Sequence, residues 1–237
     1  MDRAPASMTN QPLPPVLGPA WLGGLHLAQV VDIVDPQHLA RVQVRLHAAD
    51  GVAGQDAPLW AGLVSPFAGN DRGAFWVPDV GDLVVVAFVQ GDARHALVLG
   101  GLWHGQAAPP ERMDGAGRNF LKVIRSRNGV KITFDDQDGR ETLRLETPGG
   151  QKLTLSDGPP VCEVVDASGN SVKTEASGIT ITASAKVTVN APLVEVNAGS
   201  VTVNAGLSRF SGVVQCDTLI SNAVISASYT PGAGNIW

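Results

Sequence analysis

Between Ile179 and Ala205 the chain says nearly the same thing four times: Ile-Thr-Ile-Thr-Ala, Val-Thr-Val-Asn-Ala, Val-Glu-Val-Asn-Ala and Val-Thr-Val-Asn-Ala. The last three copies set Val189, Val196 and Val203 at a spacing of about seven residues. Each copy alternates apolar and polar residues, the pattern of a short strand with one face buried. None is long enough to bury that face alone. Short strands repeated at fixed spacing and joined by small residues are what a stacked β-solenoid requires.

A single stack of such strands leaves N–H and C=O groups unpaired along its edges. It also lacks large side chains to fill a core. Three chains wound round one axis answer both problems, and closed symmetry stops growth at three. The inward set is then Ile179, Ile181, Val187, Val189, Val194, Val196, Val201 and Val203, with Thr180, Thr182, Lys186, Thr188, Asn190 and Glu195 outward. A single-chain β-helix is the competing arrangement, but its turns usually run longer.

The remainder also reads as strand. Leu25–Ile33, Ala40–Leu46, Leu59–Val64, Leu83–Val89 and Ala96–Leu102 are separated by Gly and Pro, which predicts a small closed barrel of the OB type. Val42, Val44 and Leu46 share one side of their strand, and the nearly continuous apolar run Leu83–Val89 predicts burial on both faces. After a linker, Asn119–Ile124, Gly129–Phe134, Glu141–Thr147 and Lys152–Ser156 are divided by Arg-Asn-Gly, Asp-Gln-Asp-Gly and Pro-Gly-Gly turns. The expected organisation is an N-terminal arm over 1–20, a barrel collar over 21–106, a linker over 107–118, start-up strands and shaft over 119–228, and a tip over 229–237.

Composition narrows the function classes. The net charge is -5 and Arg41, Arg45, Arg72 and Arg94 are scattered, which argues against nucleic acid. No apolar stretch approaches the roughly 18 residues that span a bilayer. The proline-broken N-terminus lacks a secretory h-region, so synthesis in the cytoplasm is expected. Cys162 and Cys216 are expected to be reduced, small, buried residues.

No catalytic, cofactor or metal site is expected. Asp136-Gln-Asp138-Gly139 would need Asp at Phe134 and Glu at Leu145 to be a calcium loop, so a hairpin turn accounts for it better. Asp135, Asp136, Asp138 and Glu141 crowd one short turn, unlike a glycosidase pair across a cleft. The five histidines, His26, His38, His47, His95 and His104, lack metal-ligand spacing. Trp21, Trp60, Phe75, Trp76 and Trp103 read as barrel core or trimer contacts. Tyr229, Ile236 and Trp237 close a Gly-rich end and are candidates to seal the axial core or dock a tip protein.

Pro66, Gly69, Gly73, Phe75, Pro78, the Val80-Gly81-Asp82 turn, Val84, Val86, Phe88, Gly91-Asp92 and Val98-Leu99-Gly100 carry a resemblance. This region is similar to the barrel of contractile-tail spike proteins, the phage baseplate assembly protein V family and the related VgrG spikes. The stretch from Asn128 to Leu155 resembles the segment that starts the triple-stranded β-helix there. The resemblance implies a homotrimeric, non-enzymatic central spike of a contractile phage tail or injection system. It implies a baseplate hub, a PAAR-type tip protein and mechanical contact with the target cell envelope. A trimeric tail fibre or receptor-binding shaft is the alternative, and an envelope-degrading enzyme would need a catalytic constellation. Ala93 and Ala96 stand where the family often has proline. No hub-like domain precedes the barrel, so the hub is expected to be a separate protein. The linker has no room for a lysozyme-like insertion. The His-x-His pair that binds iron at some spike tips is missing.

Overall fold

The computed structural model describes residues 22–51 and 56–228. It divides into two units, 1–185 and 186–237, each taken by itself.

The first unit opens with β1 (Leu25–Asp32), β2 (Arg41–Leu46) and β3 (Leu59–Leu63). The two-residue strands β4 (Ala68–Gly69) and β5 (Arg72–Gly73) form a small hairpin before β6 (Leu83–Phe88) and β7 (Ala96–Gly101). β1, β2, β3, β7 and β6 close into a barrel in that order. Only the β3–β7 pair is parallel. Among the barrel strands alone this is the order one-two-three-five-four, closing on one, the arrangement of an OB barrel.

Alternation sets the barrel core. His26, Ala28 and Val30 of β1, Val42, Val44 and Leu46 of β2, and Val84, Val86 and Phe88 of β6 are buried, while their neighbours are not. The small inner residues suit a narrow lumen. β6 therefore departs from the expected two-sided burial: Leu83, Val85 and Ala87 are half-buried, because only the inner face of the barrel is covered. The Val80-Gly81-Asp82 turn docks this strand on β1. Gly81 donates to the Val30 carbonyl at 2.8 Å, Val30 donates to the Asp82 carbonyl at 3.0 Å, and Gly81 sits at φ +98°, where a side chain would be strained.

Asp35 organises the loop from β1 to β2. Its carboxylate accepts from the Gln37 and Leu39 N–H groups at 3.0 and 2.8 Å and from the Arg41 guanidinium at 2.7 Å. Arg41 in turn lies over the Trp60 ring. The guanidinium first, and then the loop N–H groups, hold the Asp35 carboxyl far below its ordinary range despite burial. A lowered pKa stabilises the fold above the unfolded-state value and loses that contribution as the unfolded chain, and then the native one, takes up protons. The thermal midpoint of the barrel should therefore fall as pH drops from about 5 towards about 2. Asp35→Asn should lower the midpoint at neutral pH and flatten the decline, as differential scanning calorimetry across that range would read.

Beyond the barrel, β8 (Leu121–Arg125), β9 (Lys131–Asp135), β10 (Thr142–Glu146), β11 (Lys152–Asp157), β12 (Pro160–Val165), β13 (Ser171–Glu175) and β14 (Gly178–Thr182) follow in turn. They form one seven-stranded antiparallel meander in sequence order. Asp136–Arg140 is the hairpin turn between β9 and β10, with Arg140 donating to the Gln137 carbonyl at 2.8 Å. The β11–β12 turn packs against it so closely that a Cβ on Gly158 would run into the Gly139 carbonyl.

The repeats divide between the units. The first copy is β14, paired with β13. The later three lie in the second unit, where no described residue from 186 to 228 belongs to a strand or makes a backbone–backbone hydrogen bond within its own chain. Two expectations for side chains change. Phe75, Trp76 and Trp103 are 77%, 66% and 67% exposed and are not barrel core. Trp60 is half-buried, and Trp21 lies outside the described residues. Cys162 and Cys216 are exposed rather than buried, because nothing in their own chain covers them.

Candidate assembly interface

The meander has two chemically opposite faces, and the register shows it. Ile124 pairs with Ile132, Ile132 with Leu145, Leu145 with Leu153, Leu153 with Val164, Val164 with Val172, and Val172 with Ile181. This row crosses all seven strands without a polar residue. Two positions along each strand runs a second row: Lys122, Phe134, Leu143, Leu155, Cys162, Thr174 and Ile179. Lys122 stands at the outer strand, donating to the Asn119 carbonyl at 2.6 Å. Side chains that alternate along a strand share a face, so both rows lie together.

The opposite face is mostly polar, with Leu121, Val123, Val161 and Val165 among its residues. It carries Arg125, Lys131, Asp135, Arg144, Glu146, Lys152, Glu163, Lys173 and Glu175. Lys173 meets Glu175 at 2.6 Å, and Lys131 meets Glu111 of the preceding linker at 2.6 Å. Each exposed pair of this kind contributes at most about 1 kcal/mol, so the pairs keep the face wet rather than hold the sheet together.

The apolar rows are uncovered in the single chain. Among the described residues every buried apolar side chain lies between Ala28 and Val98, in the barrel. Leu145 remains 40% exposed and Ile181 62%. A seven-stranded sheet spaced at ~4.8 Å presents this apolar ladder over roughly 30 Å, more than a monomer ordinarily leaves in water.

Of the expected axial residues, Ile179 and Ile181 fall on this ladder, in β14. Val187, Val189, Val194, Val196, Val201 and Val203 lie in the second unit, all exposed. There the described residues make no backbone–backbone hydrogen bond within their own chain, and only the Ser221 and Ser226 hydroxyls meet nearby backbone groups. Backbone groups in that state bond to water or to another chain. Tyr229, Ile236 and Trp237 lie outside the described residues. The sequence reading missed Ile124, Ile132, Phe134, Leu143, Leu145, Leu153, Leu155, Val164 and Val172 as interface residues. Their alternation was visible in Lys-Ile-Thr-Phe, Thr-Leu-Arg-Leu and Lys-Leu-Thr-Leu, but only the pairing shows that they share one face.

The carboxylates at the β9–β10 turn serve that turn. Gly139 donates to Glu141 at 3.1 Å and Gln137 to Asp135 at 3.3 Å, and Asp135 also faces Arg144 at 3.8 Å.

Comparison with known proteins agrees with both halves. Residues 19–103 match the type VI secretion system/phage-baseplate injector OB domain. Residues 142–202 match the phage baseplate V C-terminal trimerisation domain, which takes in β10 to β14 and most of the repeats. The type VI secretion system spike protein VgrG1b of Pseudomonas aeruginosa is 24% identical over 63% of this chain and 21% of its own length. VgrG4b of the same species is 32% identical over 47% of this chain and 13% of its own. The actin cross-linking toxin VgrG1 of Vibrio cholerae is 23% identical over 38% of this chain and 9% of its own. The chain thus spans about a fifth or less of the length of these relatives. It carries, in this order, the type VI secretion system/phage-baseplate injector OB domain and the phage baseplate V C-terminal trimerisation domain.

Proposed function

We propose that this chain is a non-enzymatic central spike, working as a homotrimer in a contractile phage tail or contractile injection particle. The observation that carries it is the uncovered apolar ladder of the meander. Three such sheets, set as the sides of a prism with their ladders inward, bury one another's apolar faces. The polar faces then form the outside.

The shaft continues as a triple-stranded β-helix. Each segment from 186 onward takes its backbone partners from the other two chains, with Val187, Val189, Val194, Val196, Val201 and Val203 as its axial core. One chain cannot be pulled free without breaking ladders to the other two, which is the stiffness a piercing device needs. The barrel is the collar that docks on a baseplate hub. The end of the chain, through Tyr229, Ile236 and Trp237, meets a PAAR-type tip protein, and sheath contraction drives the assembly through the target envelope. The chain is made in the cytoplasm and joins a baseplate there.

The first test is the absolute mass of the purified chain by light scattering, with small-angle X-ray scattering for its shape. An elongated particle near three times 24.6 kDa is expected. A compact particle of 24.6 kDa would overturn the proposal.

A further inference from the structure

The barrel carries a second apolar surface that the ladder does not explain. Phe75, Trp76 and Trp103 stand out from a domain whose core is filled by valine and alanine. With Leu63 and Val64 they line a groove of about 740 Å³, and Arg125 of β8 closes one end. Three aromatic side chains exposed to this degree leave roughly 300–500 Å² in water, a patch of the size that marks an interaction site. The loop that carries Phe75 and Trp76 is tied to itself. The Ser65 hydroxyl is shared between the carbonyls of Phe67 and Ala74, at 2.8 and 2.9 Å, and the Ala74 N–H donates to the Phe67 carbonyl at 3.2 Å.

A matching knob stands at the other end of β8. Met113 is fully exposed, yet the linker that carries it is fixed on both sides. Before it, Glu111 meets Lys131 of β9 at 2.6 Å. After it, Asp114 meets Arg118 at 2.7 Å and accepts from the Ala116 N–H at 2.9 Å. The linker lies against the start of β8 and the β9–β10 turn, enclosing with Leu121, Asp135 and Gln137 a hollow of about 430 Å³. Methionine ordinarily fills an apolar gap, and its thioether favours the edge of an aromatic ring. Leu121 beside the knob and Arg125 beside the groove share one face of β8, four residues or about 13 Å apart. Knob and groove therefore stand at opposite ends of one strand.

That separation suits a closed ring. With the apolar ladder along a three-fold axis, the strands run round the axis. The end of β8 in one chain then comes beside the start of β8 in the next, at the same level. Like ends never meet, so a contact between copies has to join two different surfaces. Met113 and the aromatic groove are two such surfaces, one convex and one concave. Arg125 directly follows Ile124 of the apolar row, which makes the contact continuous with the ladder. The charges fit as well. Arg125 closes the groove, Asp138 lies in the β9–β10 turn near Met113, and neither belongs to an ion pair among the described residues.

We propose that Met113 of each chain enters the aromatic groove of the neighbouring copy, with Asp138 facing Arg125. The inference rests on the trimeric reading and adds to it the contact that locks each barrel onto the next chain.

The test places a photoreactive benzophenone amino acid at position 113 of the full chain. Light scattering and circular dichroism before illumination establish mass and fold. Illumination should give covalent dimers and trimers on a denaturing gel, with the attachment mapped by mass spectrometry to Phe75, Trp76 or Trp103 of a second copy. The same group at position 173, on the polar face of β13, is the control and should give at least fivefold less cross-linked product. A trimeric mass with no cross-link between chains, or with attachment outside the groove, overturns the inference and leaves the trimer standing. Attachment within one chain, or to a co-purifying protein, overturns it equally. A monomeric mass overturns the trimeric reading and this inference with it.

Discussion

Leu145→Glu with Leu153→Glu should turn a trimeric particle into a 24.6 kDa monomer by light scattering, with its circular dichroism unchanged. The two leucines face each other across β10 and β11 in the middle of the apolar row. In the single chain both are only partly covered, so the substitutions cost little there. The backbone ladder that holds the meander is internal to the chain and does not involve them. In a trimer closed on this face, two carboxylates from each chain would enter an apolar axis with no basic partner. Each uncompensated charge costs several kcal/mol after relaxation, against about 1 kcal/mol for the remaining apolar surface of one leucine. The assembly should not survive that. Thr154→Glu, one position along β11 on the polar face, is the control and should leave the mass unchanged. A double variant that stays trimeric would remove the ladder from the interface.

The second large effect is expected in the shaft. Asn at Val189, Val196 and Val203 together should make residues 186–228 as sensitive to protease as an unfolded tail, while β1 to β14 stay intact. The reason is the contrast between the units. Every strand through Thr182 finds its partner in its own chain, whereas the described part of the second unit finds none. In the proposed shaft, order there comes from neighbouring chains, through valines that alternate with polar residues. Replacing the central valine of three successive repeats inserts amides that the axial core has no partners to satisfy. Limited proteolysis read by mass spectrometry would show early cuts after residue 186 in the variant and protection in the parent. Equal protection in both would remove these valines from the axial core.

The two predictions separate the parts of one interface. The first tests the meander, where chain-internal pairing builds a surface that then associates. The second tests a segment with no strand pairing of its own, where the proposed shaft makes folding and association one event.

Local alternation alone determined most of the strands. Val42, Val44 and Leu46 follow a two-residue period, and that period dictates which side of β2 is buried however the barrel closes. Arg-Asn-Gly, Asp-Gln-Asp-Gly and Pro-Gly-Gly separate β8 to β11 for a similarly local reason, since few residues tolerate such turns. The repeats by themselves pointed to a stack of short strands, with three chains or one as the competing ways to close it. Tertiary structure decided what depends on distant neighbours. Leu83, Val85 and Ala87 read as buried on hydropathy, yet face outward because a barrel has only one interior. Phe75, Trp76 and Trp103 read as barrel core or trimer contacts, and a lumen already filled by Val30, Val44, Val84 and Val86 has no room for them. Pairing register, which no single strand encodes, brought Ile124 and Ile181 onto one apolar row across seven strands, and so turned scattered alternations into a surface that another chain can cover.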